Sequence, residues 1–351
     1  MFALYLANIY DATEVQKHVS GSDTWATTCL QRNTGGYGPY NVTSLQSGQQ
    51  AVFTANANYW NGTPKIKSVI YRDVPAPSNR LSLLEAGAVA LAKDLTPAEF
   101  KQVPTQASYR GGFMVYVHIN VKDKPYDDLN VRKALAFATP YKGILESVYL
   151  GSATQLRGPV IDTFPDFFGD EFFHYTDDPA TAKSYLRKAN LPNGFNVQLA
   201  VNSAQPNVEQ IAIQLKGAWD ALGMNTTITA MDPITFGARK QAKQLSIFVD
   251  TNLAHVPDVG YTALLWFQPQ SILNYGNYNN PSVTKLTNES ISTLNPGRRT
   301  EIARQLQKIL INDLPFLYLA QPGYHIGITK PVTSVSWVPN TPVTFNDITT
   351  A

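Results

Sequence analysis

Cysteine is almost missing from this chain: Cys29 is the only one in 351 residues. An internal disulfide and any cysteine-built metal cage are therefore excluded, and Cys29 reads as an inert packed residue. No apolar run reaches the roughly 20 residues that a membrane-spanning helix needs. Runs of like charge are also missing, since 28 Lys and Arg are scattered among 26 Asp and Glu for a formal charge of +2. That balance points away from nucleic acid or another polyanion as a partner. There is no low-complexity tract and no internal repeat. The first ten residues have neither a basic flank nor a small-residue cleavage site. The sequence as read thus shows no export signal, which fits either a cytoplasmic protein or a mature or truncated piece of an exported one.

What is present is a globular composition. Hydrophobic residues make up 44% and charged residues 15% of a chain long enough for two lobes. The 18 Tyr, 16 Phe and 5 Trp suit either a core or the wall of a cleft for an organic ligand. Val115, Val117, Ile119 and Val121 alternate with Tyr116, His118 and Asn120, the pattern of a strand with one buried face. A second strand alternates Phe195, Val197, Leu199 and Val201 with polar or small residues. A helix follows, with Ile211, Leu215, Trp219 and Leu222 on one stripe and Gly223 at the left-handed cap position. The β-like run 226–231 completes a βαβ crossover, so a partly parallel sheet with packed helices is expected. Asp178 before Pro179 caps another helix, and Ile302, Leu306 and Ile309 mark a third that stops before Pro315. Residues 317–328 return to extended structure.

Sites of chemistry are sparse. The glycine-rich run at Gly35 and Gly36 lacks the Gly-Lys-Ser/Thr of a phosphate loop and reads as turn glycines before a strand. His18, His118, His174, His255 and His325 show no i, i+4 pairing, so no dedicated zinc site is expected. No Ser stands in a Gly-x-Ser-x-Gly frame. Trp60 is expected beneath its loop. Trp266, Phe267, Tyr275 and Tyr278 form an aromatic cluster that suits a cleft or the core equally well.

Several ordered segments carry a resemblance. Gly36-Tyr37-Gly38-Pro39-Tyr40-Asn41-Val42, Asn56-Ala57-Asn58-Tyr59-Trp60-Asn61-Gly62, and Val131-Arg132-Lys133-Ala134-Leu135 are similar, in this order, to segments of a known family. The later run Leu191-Pro192-Asn193-Gly194-Phe195, the run Asn279-Asn280-Pro281-Ser282-Val283, and the closing segment 298–319 continue the match. Together they resemble the extracytoplasmic solute-binding proteins that feed peptide and nickel (oligopeptide-type) ABC importers. Where the family has Gly-Glu-Val-Asp, this chain has Gly87-Ala88-Val89-Ala90, without either acid.

The resemblance implies an α/β, two-lobed fold of the class II periplasmic-binding-protein type, with mixed sheets and a hinge. It places residues 1–104 and 315–351 in a large lobe and residues 105–314 in the opposite lobe. Family members begin well upstream of the Gly36 segment, so the N-terminal part of the large lobe is expected to be missing. The implied role is capture of an oligopeptide-like or related small solute in an interlobe cleft and delivery to the permease subunits, at the periplasm or as a cell-surface lipoprotein. That role involves no catalysis and no cofactor. A ligand-sensing module of a regulator and a hydrolase on the same lobes are the competing readings. In peptide-binding relatives a carboxylate receives the ligand's α-amino group. On that pattern Asn252 takes an aromatic position, His255 the carboxylate position, and Asp258 keeps a second acid; a slip of register would substitute Asp258 or Asp250. With Trp266, Phe267 and Tyr275, these are the expected ligand-binding residues.

Overall fold

The computed structural model describes residues 9–110, 112–254, 256–337 and 343–351. Its strands, in chain order, are β1 (Tyr40–Gln46), β2 (Gln50–Ala55), β3 (Ser68–Arg72), β4 (Leu91–Lys93), β5 (Gln106–Tyr109), β6 (Phe113–Ile119), β7 (Ala153–Gln155), β8 (Asn196–Asn202), β9 (Asn225–Met231), β10 (Ile247–Leu253), β11 (Phe316–Pro322) and β12 (Tyr324–Ile328), followed by two short C-terminal strands. The chain divides into two units, one of Met1–Tyr109 with His325–Ala351 and the other of Arg110–Tyr324.

The first unit holds two three-stranded sheets, ordered β1-β2-β3 and β4-β12-β5. The first is antiparallel and lightly covered: β3 is exposed at four of its five positions. Helix α1 (Pro77–Glu85) buries Leu81 and Leu84 with Ala92 and Val103 in a small core. Trp60, expected beneath its loop, is instead exposed.

The second unit is built on a six-stranded sheet of order β7-β11-β6-β10-β8-β9. The predicted crossover is present: β8 runs parallel to β9, and α2 (Pro206–Asp220) connects them, burying Ile211, Ala212, Leu215 and Trp219. Gly223 turns with φ of +97°, as the cap position requires, and a Cβ on the neighbouring Gly194 would lie 2.3 Å from its carbonyl oxygen. The predicted Asp178 cap accepts from the amides of Ala180 and Thr181. Helices α3 (Pro233–Gln241), α4 (Val259–Trp266), α5 (Pro281–Ser292) and α6 (Pro296–Asp313) complete the unit's later half. None of the helices among the described residues is long and apolar enough to cross a membrane.

Two expectations change. β6 is buried on both faces, not one, because β10 and β11 flank it and side chains pack over either side; Tyr116 and His118 are as enclosed as Val115 and Val117. β11 pairs with β6 and β7, so residues 316–322 belong to the second unit rather than to a lobe formed by residues 1–104 and 315–351. The chain crosses at Tyr109–Arg110 and Tyr324–His325, five and ten residues later than the motif order implied.

Candidate functional site

Period-2 alternation places Met114, Tyr116 and His118 of β6 on the same face as Phe248, Asp250 and Asn252 of β10, because the antiparallel register matches them in pairs. On most of such a face apolar groups meet. Here Tyr116, His118, Asp250 and Asn252 form a polar stripe that runs from the middle of the sheet toward the carboxyl end of β10. That is the end at which β8 and β9 also finish, and at which the chain enters the unit before Phe113 and leaves it after Pro322.

Asp250 is the electrostatic centre of the stripe. Its Oδ2 accepts from Lys240 Nζ at 2.9 Å and its Oδ1 from the Thr251 amide at 2.9 Å. The two side chains are only 6% and 18% exposed, for Asp250 and Lys240 respectively. Burial pushes the Asp250 carboxyl up, and the adjacent Lys240 pulls it back in part. The Lys240 ammonium also lies 5.0 Å from the Tyr275 ring centre and 5.4 Å from that of Phe236, so aromatic faces supply part of its surroundings. Asn252 Nδ2 donates to the Tyr116 hydroxyl at 2.5 Å. Burial holds that hydroxyl well above the usual phenol range, so it stays protonated and able to donate.

His118 lies deeper. Its ring stacks on Phe248 at 4.7 Å and approaches Phe316 at 4.4 Å and Tyr275 at 5.8 Å. Burial, assisted by Lys240 and Lys243, pushes the imidazole well below its ordinary value and keeps it neutral. Nδ1 is buried without a hydrogen-bond partner among the described residues. Gly276 closes over the other nitrogen: a Cβ there would come within 2.8 Å of His118 Nε2 and 2.3 Å of the Ile119 carbonyl oxygen.

The expected site residues divide. Asn252 and the half-buried Tyr275 belong to the stripe. Asp258 does not: it caps α4 by accepting from the Tyr261 amide at 2.7 Å, and its other oxygen pairs with Arg299. Trp266 and Phe267 are core, at 6% and 0% exposure, packed around Phe316. His255 lies outside the described residues. Tyr116, His118 and Lys240 are the members that sequence reasoning missed. The first two sat in an alternation that looked like a solvent face, and Lys240 meets Asp250 only through the packing of α3 on β10. Among the described residues no cluster of three or more His, Cys, Asp or Glu is arranged to hold a metal. A groove of about 530 Å³ in the first unit, lined by β3, β4 and C-terminal residues, is mostly apolar and shares no residue with the stripe. The stripe can offer hydrogen-bond donors, one paired acid and aromatic faces, which suits recognition more than bond making.

Residues 3–274 match the family model for bacterial extracellular solute-binding proteins, family 5 Middle. Heme-binding protein A of Haemophilus influenzae is 28% identical over 301 residues, 81% of this chain and 54% of that protein. The probable D,D-dipeptide-binding periplasmic protein DdpA of Escherichia coli K12 is 24% identical over 348 residues, 97% of this chain and 66% of that protein. The chain therefore spans between about half and two thirds of the length of these relatives. Among solved structures, a dipeptide binding protein from Pseudoalteromonas sp. SM9913 in complex with Met-Leu superposes with a TM-score of 0.81 at 19% identity, covering 95% of this chain and 69% of that one. The likeness establishes the periplasmic-binding-protein fold.

Proposed function

The chain belongs to the bacterial extracellular solute-binding proteins of family 5, and from that premise we propose that it captures a small organic solute, peptide-like in size, for an ABC importer. The two units correspond to the two lobes of such a protein, with the boundaries at Tyr109–Arg110 and Tyr324–His325. The working compartment is the periplasm or the cell surface, and the partner that takes the solute onward is the permease. Relatives described as dipeptide-binding and heme-binding frame the range of solutes.

The observation that carries the reading is the polar stripe on the second unit's sheet. Buried polar groups cost stability unless they are satisfied, and a core strand has no need of a Tyr, a His, an Asp and an Asn side by side. A binding surface does need them: half-exposed Tyr275 and Asn252 give access, and the enclosed groups beneath fix orientation. The role demands binding and release only, so these residues act as recognition groups and not as a catalytic set.

Thermal-shift screening of the chain against dipeptides and other small solutes, followed by calorimetry on the hits, tests the proposal. Asn252→Ala with Tyr275→Ala should weaken the best hit at least tenfold. Undiminished affinity in that double variant would move the site elsewhere, and a screen without hits would remove the capture role.

A further inference from the structure

We infer that the stripe recognises a carboxylate on its solute through the hydrogen-bond donors Lys240, Tyr116 and Tyr275, and that Asp250 is unavailable to a solute ammonium because Lys240 already occupies it. This deepens the solute-capture reading and rests on it.

Both Asp250 oxygens accept hydrogen bonds, from Lys240 Nζ and from the Thr251 amide, each at 2.9 Å. A solute ammonium at Asp250 would place a second cation beside Lys240 on one enclosed carboxylate. Neither positive charge would then be fully compensated, and the pair that now holds α3 to β10 would be weakened. Nor does the rest of the stripe hold a carboxylate in reserve. Asp258, the other acid of the neighbouring segment, is committed to the α4 cap and to Arg299.

Donors, in contrast, remain. A lysine ammonium has three N–H groups, and Asp250 takes one of them. The Tyr116 hydroxyl accepts from Asn252 and so keeps its own O–H for an acceptor. Tyr275 is half exposed, with its ring 5.0 Å from the Lys240 nitrogen. At the His118 end Lys240 and Lys243 both oppose protonation of the ring, whereas Asp250, the one acid of the stripe, bears on the Tyr116 hydroxyl. Two donors and a partly compensated cation match two acceptor oxygens that carry negative charge.

The test uses the full chain and three forms of one dipeptide, alanyl-phenylalanine: unmodified, N-acetylated, and C-amidated. Calorimetry should show the N-acetyl form within about threefold of the parent and the amide at least tenfold weaker, which is about 1.4 kcal/mol. Lys240→Gln combined with Asp250→Asn removes both charges without leaving one buried alone, and it should abolish the difference between parent and amide. Tyr275→Phe, which leaves the ion pair intact, should halve that difference or more, so the test survives if the double variant fails to fold. If the amide binds like the parent and acetylation costs tenfold, the inference is overturned while solute capture stands. A preference that is unchanged in both variants also overturns it. Failure of all three peptides to bind overturns both the inference and the peptide-like capture on which it rests.

Discussion

β6 in the second unit and β3 in the first are both short runs rich in β-formers, yet their fates are opposite. β6 has six of its seven residues buried, between β10 and β11 in a six-stranded sheet. β3 ends a three-stranded sheet, with Ile70 56% and Tyr71 42% exposed beside an apolar groove. Trp25 and Trp60, at 79% and 77% exposure, belong to the same lightly covered unit. The comparison teaches that burial here follows the number of neighbouring layers more than local hydrophobicity. An exposed apolar edge strand is a surface prone to pair with another chain. The second unit should carry most of the resistance to unfolding, and the first should open more easily.

The largest expected effect comes from cutting the second unit's core. Phe316, 2% exposed, stacks on Tyr116 at 4.4 Å and contacts Phe267 at 5.0 Å. Phe316→Ala should cost about 3–5 kcal/mol, whereas Ile70→Ala in β3 should stay within about 0.5 kcal/mol. Urea unfolding of both variants measures this; equal losses would erase the contrast between the units. Asp258→Ala comes next. Losing the cap and a partly exposed ion pair should cost about 1–2 kcal/mol. Solute affinity should hold within about threefold if Asp258 is structural, and a tenfold loss would return it to the binding surface.

A pH series sharpens the picture inside the second unit. His118 stays neutral when folded but takes up a proton near its ordinary value of 6.5 when unfolded. The unfolded state therefore binds more protons below that point. The stabilisation is present above about pH 6.5 and is lost as the pH falls, by at most about 1.4 kcal/mol per unit. Asp250 works in the other direction. Its raised carboxyl holds a proton when the unfolded form, at 3.8, has released it, so its contribution declines as pH rises above 3.8. Tyr116 and Tyr275, whose hydroxyls burial holds above the usual phenol range, stay protonated across pH 5–7. His118→Phe should thus flatten the loss of thermal stability between pH 6.5 and 5 relative to the parent. Parallel curves for the two proteins would refute the buried neutral histidine.

The smallest effect on stability should come with a visible effect on association. Ile70→Lys places a charge on the open edge of the first unit; it should change unfolding by less than about 0.5 kcal/mol and reduce self-association. Sedimentation velocity at several concentrations reads the change. Hydrogen exchange complements it, with β1 and β3 amides expected to exchange faster than those of β6.

Much of the fold was legible because its signals are local. The Asp178 cap and the Gly223 turn depend on residues within one or two turns of each other, and the βαβ run and the helix ending before Pro315 on periodicity along one continuous segment. The order of the motif segments resembles the family's, and the family model matches over residues 3–274. The candidate site was legible only in part. Asn252 was singled out for its place in a motif, and it does lie in the polar stripe. Asp258 was singled out by the same motif and turned out to be a helix cap, since an acid before a helix serves that purpose equally well. Trp266 and Phe267 left core and cleft undecided, because aromatic side chains fill both.

By itself, then, the sequence determined the α/β class, the order of the elements and the family, through periodicity, caps and turn chemistry that act over short distances. Only the tertiary structure decided that Tyr116 and His118 face inward, that β11 joins the second unit, and that Lys240 neutralises Asp250. The physical reason is that burial and ion pairing are properties of neighbours. Strand alternation tells which residues share a face, but what covers that face is brought by helices and strands distant in the chain.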